Sequence, residues 1–506
     1  MPIVHRLLLG LLLATSLGSV AHAGKANDTL NVAFENEIET LDNYKATGRT
    51  ALVVTRELYD GLLFKDEASG TLKPALAKSY KVVDDKTIDF ELRPDVKFHD
   101  GTTMTADDVV YTLNLVSSKD YNARYQIAVN WIDRAEKTGD YSLRLHLKTP
   151  NPVALEMLAG NVPIYPKHYY EKVGPAGMAV KPIGTGPYRL DELTPGTRFV
   201  LKRFKDYYKE SPRGQPSIGT IIIRVLPEAN TRYAELMNGQ LDWTWRVPLD
   251  DSRNLGAQPN LKIETVEIMR FAYMQMNPNF EGGKSPFANV LVRRAVNHAV
   301  NREGILKALV GGASKLINGP CNPMQFGCTT QDVATYKFDP AKAKALLAQA
   351  GYPNGFDIEL LASAMPHDQT EAIAADLGKA GIRVRVNEQQ PGSALSAWRA
   401  GKVGMYLSNW GSYGIGDAGL SLGYFFAGTG DDLTNDAETT KAVRAGGSTM
   451  DAAKRKAEYA KAVRRVADQA FWVPLWTYSV NCAQVRDLDF RMGADEFVPF
   501  ERARWK

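Results

Sequence analysis

Groups able to break and make bonds are dispersed along this chain, while groups able to hold a molecule gather in one stretch. The seven histidines are scattered. His99 falls in a turn, His146 on the polar face of a strand and His298 inside a helix, none beside a nucleophile. No H-E-x-x-H, G-x-S-x-G or phosphate-loop sequence occurs. The acidic pair Asp107-Asp108 reads as charge at a helix N-terminus, where the backbone dipole favours it. Residues 408–419, S-N-W-G-S-Y-G-I-G-D-A-G, are different. Trp410, Ser412, Tyr413 and Asp417 stand there among four glycines that let the backbone approach something closely. Trp410 and Tyr413 suit stacking on a flat or apolar group. Asp417 suits a charge-assisted hydrogen bond from a cationic or amide group. The plainer alternative is a surface turn with Trp410 in the core, and an enzyme alternative is a secreted hydrolase using two distant carboxylates.

The neighbouring elements must position that stretch. A strand over 403–407 leads into it. Before it, a strand at 356–361, a helix at 368–379 and a strand at 382–386 alternate as β-α-β, which calls for an α/β lobe with a largely parallel sheet. Asp339-Pro340 opens a helix at 341–350, with proline at the first helical position and Gly351 past the end. Asn289 caps a helix over 290–300, and a new segment is expected to begin near Met269 with a strand at 271–277. A long helix at 452–470 precedes a return at 471–475. Asn230 caps a helix at 231–237, and 241–245 reads as a strand. Its Trp243 and Trp245, two apart, face one side. Trp243 belongs to the core; Trp245 fits either the core or a ligand cleft.

Residues 75–116 form the clearest local unit. Ile88, Phe90 and Leu92 alternate with Asp89, Glu91 and Arg93, so one strand face is apolar. Pro94 closes the strand, and His99-Asp100-Gly101 turns the chain. Thr105 then caps a helix with Val109, Leu113 and Val116 on one face, making an α+β unit.

The chain has 506 residues, too many for one core, so two or three domains are expected. Its 44% hydrophobic and 23% charged residues are ordinary for a globular protein, and a net charge of +4 with scattered Lys and Arg does not indicate a nucleic-acid or polybasic membrane surface. His5-Arg6, the apolar run 7–14 and Ala21-His22-Ala23 read as an export signal over 1–23, too short for a permanent span. A mature chain from about Gly24, in the periplasm of a Gram-negative cell, follows. In that oxidising compartment Cys321 and Cys328 form a local disulfide and Cys482 is a buried free thiol.

Residues 92–101, L-R-P-D-V-K-F-H-D-G, followed by T-A-D-D-V at 105–109, resemble the signature of the peptide/nickel family of extracytoplasmic solute-binding proteins, which serve ABC importers. G-T-G-P-Y at 184–188, the helix before Gly239 with Asp242, and the V-R-x-A-V pattern at 292–296 extend the resemblance over nearly the whole mature chain. It implies an α/β fold of two lobes with a hinge: lobe one at 24–267, with an α+β subdomain about 62–182, and lobe two at 268–479. Residues 480–506 would return to lobe one. It also implies a ligand between the lobes, a permease partner in the inner membrane, a monomer, no cofactor or metal, and no catalysis. The loop 408–419 is similar to the W-x-x-D-x-x-D-P loop of dipeptide-binding relatives, but Tyr413 stands where the first Asp pairs with the ligand ammonium. Residues 360–369 lack the Arg that clamps a dipeptide carboxylate. Longer peptides or modified amino-acid conjugates therefore fit better than simple dipeptides. Alternatives are an opine, a glutathione-like compound or a metal–metallophore complex. The expected ligand contacts are Trp410, Ser412, Tyr413, Asp417 and Trp245.

Overall fold

The computed structural model describes residues 24–46, 48–66 and 70–506. The export signal read over 1–23 lies outside them. Among the described residues no helix is long and apolar enough to cross a membrane.

The unit read from 75–116 sits in a four-stranded antiparallel sheet, in the order Ala77–Asp84, Thr87–Leu92, Ser142–Leu147, Ile132–Gly139. Ile88, Phe90 and Leu92 are buried, while Asp89 on the other face takes both forks of Arg144 at 2.7 and 2.8 Å. The helix Ala106–Ser117 packs on this sheet, and the Asp108 carboxylate accepts from the Thr105 N–H at 2.9 Å. The turn after Thr87–Leu92 docks on the G-T-G-P-Y element. His99 Nδ1 accepts from the Gly184 N–H at 3.2 Å, which leaves Nε2–H to donate to Gly186 O at 3.0 Å. A Cβ on Gly184 or Gly186 would fall 2.1 Å from Leu58 O or 2.4 Å from Glu57 O, so this element needs glycine to lie on the end of the helix Arg49–Leu58.

A ten-stranded sheet runs through the whole molecule. Its order is Ile382–Glu388, Phe356–Ala362, Met405–Gly411, Leu261–Met276, Trp472–Val485, Trp243–Thr244, Thr29–Phe34, Thr220–Val225, Arg198–Arg203, Tyr188–Thr194. Two long antiparallel strands, Leu261–Met276 and Trp472–Val485, link its halves, pairing from Leu261↔Val485 to Gln275↔Trp472 with irregular register around Phe271. In the second lobe Phe356–Ala362 is parallel to both neighbours, and helices cover the sheet. The molecule is thus a mixed α/β protein of two lobes.

Several boundaries differ from the sequence reading. No break occurs near Met269, because one strand spans Leu261–Met276 with an apolar partner strand along its length. The return at 471–475 likewise continues as Trp472–Val485. Asn230 does not cap its helix, which begins at Ala229 after Glu228. Residues 408–411, read as loop, extend the strand Met405–Gly411, since Trp410 and Gly411 pair with Phe271 and Arg270. A Cβ at 411 would lie 2.7 Å from the Arg270 guanidinium, so any side chain there would push that group aside.

One core cluster joins Leu30, Val32 and Phe34 of the first strand to Phe497, Val498, Phe500 and Ala503 near the C-terminus. Phe500 meets Phe34 and Trp243 edge-on, at 6.4 and 5.6 Å between ring centroids.

Candidate ligand site between the lobes

The loop 412–418 leaves the second lobe and lands on the first. Tyr413 adopts φ 53°, a left-handed conformation that carries its ring out over Tyr125, with centroids 4.1 Å apart and planes 29° apart. The Tyr413 carbonyl accepts from Asn161 Nδ2 at 3.2 Å. Gly416 N–H donates to Glu156 Oε1 at 2.6 Å, and the same carboxylate binds Lys65, whose Nζ lies 3.5 Å from Gly414 O. An aromatic stack, a side-chain amide and the charged pair Lys65–Glu156, hydrogen-bonded to the loop backbone, thus hold the lobes together here.

Beside it lies a cluster of charge. Arg270, on the strand linking the lobes, grips Glu496 through Nε at 3.0 and 3.2 Å and Nη2 at 2.8 Å. Its Nη1 donates to Asn409 Oδ1 at 2.5 Å. Arg246 Nη2 and Arg49 Nη2 stand farther from Glu496, at 3.8 and 3.9 Å. Arg246 also binds Glu35 at 3.0 Å and lies over the Trp245 ring at 4.4 Å. Burial alone would raise the Glu496 pKa, but Arg270 and Arg49 pull it down to about 2. Burial lowers the pKa of Arg49, with Glu496 opposing. Arg246, Tyr413 and Glu496 all have positive φ, at 53°, 53° and 63°. Three non-glycine residues in left-handed backbone converging on one place is the pattern of a site where strain is tolerated for geometry.

The expected contact residues fall in three settings. Trp410 is half-buried, with its ring 5.7 Å from Tyr413, 4.5 Å from Tyr424 and 5.1 Å from Phe425. Neither its indole N–H nor the buried Ser412 hydroxyl has a hydrogen-bond partner among the described residues. Trp410, Ser412 and Tyr413 are thus brought together. Asp417 is buried elsewhere: Oδ2 pairs with Arg455 at 3.2 Å and Oδ1 accepts from Gly419 N–H at 2.7 Å. Burial pushes its pKa up to about 6 although Arg455 opposes that. Trp245 is 1% exposed, packs on Phe34 at 5.1 Å and donates its indole N–H to Glu35 at 2.8 Å. Cys321 and Cys328 are disulfide-bonded, and Cys482 is buried and free. The bridged turn supports the loop from behind. Phe326 N–H donates to Gly416 O at 2.7 Å, Ala418 N–H to Phe326 O at 2.9 Å, and Gln325 Nε2 to Ile415 O at 3.1 Å. Among the described residues no group of three or more His, Cys, Asp or Glu is placed to hold a metal ion.

Residues 71–432 match the sequence model described as bacterial extracellular solute-binding proteins, family 5 Middle. The chain belongs to this family. Family 5 proteins of this kind are the solute-binding components of ABC importers. The glutathione-binding protein GsiB of Salmonella paratyphi A is 28% identical over 96% of both chains. Among solved structures, AgaA from A. tumefaciens, in complex with agropinic acid, is 27% identical with a TM-score of 0.78, covering 94% of this chain and 99% of that one. NikA from Brucella suis, in complex with Fe(III)-EDTA, superposes with a TM-score of 0.84 at 23% identity over 94% of this chain and all of that one, a likeness of fold.

In this family 5 protein the cationic cluster escaped sequence reasoning. Its members stand far apart in the chain, on the helix Arg49–Leu58, after Trp243–Thr244, within Leu261–Met276 and in the turn 493–497. No spacing links them. The available signal was Arg270 itself, a charge set between Met269 and Phe271 in an apolar strand interior.

Proposed function

We propose that this solute-binding protein captures peptides or peptide-like solutes between its lobes in the periplasm and delivers them to an inner-membrane permease. It works as a monomer and catalyses nothing. Lobe one is taken as 24–267 with 480–506, lobe two as 268–479, and closure as a hinge motion at the linking strands. The observation that carries this reading is the loop 412–416, which reaches from one lobe to the other with Tyr413 stacked on Tyr125 and arginines beside it. Trp410, Ser412 and Tyr413 are the contacts proposed from lobe two. Trp245 contributes by holding Glu35 and Arg246. Asp417, whose oxygens are already bound, is proposed to shape the loop.

A modified amino-acid conjugate, glutathione-like or opine-like, is the second reading. The names of the relatives GsiB and AgaA favour it. Calorimetry with di-, tri- and tetrapeptides and with glutathione tests both. Saturable binding of at least one of them, with a smaller radius of gyration on saturation, is expected. Absence of binding across the whole panel would refute the peptide-like reading.

A further inference from the structure

The charged groups joined by the contacts at the lobe boundary do not balance. Arg49, Arg246 and Arg270 face the carboxylates Glu496 and Glu35, three positive charges against two negative. Nearby Arg56 and Asp495 lie 3.4 Å apart and add one charge of each sign, so among the described residues the excess stays at one. The excess sits on Arg49. Arg270 holds Glu496 through several short contacts and Arg246 is shared with Glu35, whereas Arg49 reaches Glu496 only at 3.9 Å. The Arg49 side chain is 10% exposed, and its Nη1 has no hydrogen-bond partner among the described residues. Its guanidinium lies 5.7 Å from the Tyr413 ring and 4.9 Å from the Phe497 ring, so aromatic faces flank it. A buried guanidinium with an empty donor is costly unless an anion completes it.

Resting on the solute-capture reading above, we propose that Arg49 anchors a carboxylate of the ligand, with Tyr413 as the wall of the subsite. The protein then selects carboxylate-bearing peptides or conjugates over neutral and cationic ones. A guanidinium fork matches either a carboxylate or a phosphate. The excess of one charge fits a carboxylate, since a phosphate monoester brings nearly two negative charges at neutral pH. This reverses the polarity expected from Asp417. The loop meets the ligand with aromatic groups, and the charge comes from lobe one.

The test uses matched probes on the full mature protein: glutathione and Ala-Ala-Ala as free acids, and each with its C-terminal carboxylate converted to the amide. Calorimetry on the wild type should find the acid roughly tenfold or more tighter than its amide, the size of one charge-assisted contact. Arg49→Gln should bring acid and amide within about threefold of each other, and Arg49→Lys should restore part of the preference. Unfolding temperature checks that each variant is folded. Equal binding of acid and amide by the wild type would overturn the subsite, as would an undiminished preference in folded Arg49→Gln. If no probe binds, the peptide-like reading falls and the subsite is judged separately by mass spectrometry of solute released from the denatured protein. A solute with a carboxylate supports it, and one without a carboxylate overturns it.

Discussion

Tyr413 of the second lobe lies flat on Tyr125 of the first, 4.1 Å between ring centroids. A stacked pair of this kind contributes about 1 kcal/mol beyond its burial. The left-handed backbone of Tyr413 costs a similar amount, about 1 kcal/mol or more. The stack therefore exists because the loop is held at both ends, by the strand Met405–Gly411 and by the disulfide-supported turn behind it. Because its two rings come from different lobes, under the proposed hinge mechanism it should act on the open–closed equilibrium more than on the stability of either lobe.

Replacing the aromatic pair at the loop should weaken binding in proportion to what each ring touches. Trp410→Ala removes a ring set among Tyr413, Tyr424 and Phe425 and should cost at least about 1.4 kcal/mol, or tenfold in affinity. Tyr413→Ala should cost several-fold and leave the ligand-saturated protein with a larger radius of gyration than wild type. Calorimetry and small-angle scattering check both. Unaltered affinity in Trp410→Ala would remove that residue from the site.

Glu156 binds Lys65 and accepts from the Gly416 N–H of the other lobe's loop. Glu156→Ala should leave the unfolding temperature nearly unchanged and speed ligand release, with an affinity loss of about 1–2 kcal/mol, the scale of charge-assisted hydrogen bonds. Stopped-flow dissociation measures it. A slower release in the variant would contradict this anchor.

Glu496 should set part of the acid sensitivity. Its carboxyl is held at about 2 against an ordinary value of 4.5, by Arg270 and Arg49 working against burial. The resulting stabilisation is complete above about pH 4.5 and disappears as pH falls toward 2, a loss on the order of 3 kcal/mol for this group. Thermal unfolding of Glu496→Gln should start lower at neutral pH and change less than wild type between pH 4.5 and 2. Parallel profiles for the two proteins would show that the cluster does not act through Glu496.

Cys321 and Cys328 should appear as one bridged peptide in non-reducing mapping, with Cys482 the single alkylatable thiol. Burial pushes the Cys482 thiol upward in pKa, so it should react with alkylating reagents only once the protein unfolds. A bridge involving Cys482 would sink the assignment.

Local order was legible where one segment carried its own pattern. The alternation around Ile88, the cap at Asn289 and the proline-opened helix Pro340–Gln349 all appear, because each depends on neighbours within a few residues. The lobe-linking strands were cut short in reading because alternation fails where both faces are buried, as from Phe271 to Met276. The loop with Trp410 and Tyr413 was found from its composition. The arginines were not, since only folding brings residues 49, 246 and 270 to one carboxylate. Asp417 looked available because sequence does not reveal that Arg455, a helix away, already holds it.

Phe497, Val498, Phe500 and Ala503 sit in the same core as Leu30, Val32 and Phe34, and Glu501 meets Arg213 at 3.1 Å. A chain delivered with its N-terminus leading supplies the opening strand of that core before the intervening lobe and these closing residues after it. The intervening lobe, by contrast, has all but its last long strand in hand before those residues follow. Until residues 497–503 follow, the first core lacks part of one flank. Truncations at the C-terminus should therefore damage the lobe built from the N-terminus. The lobe that starts first is finished last.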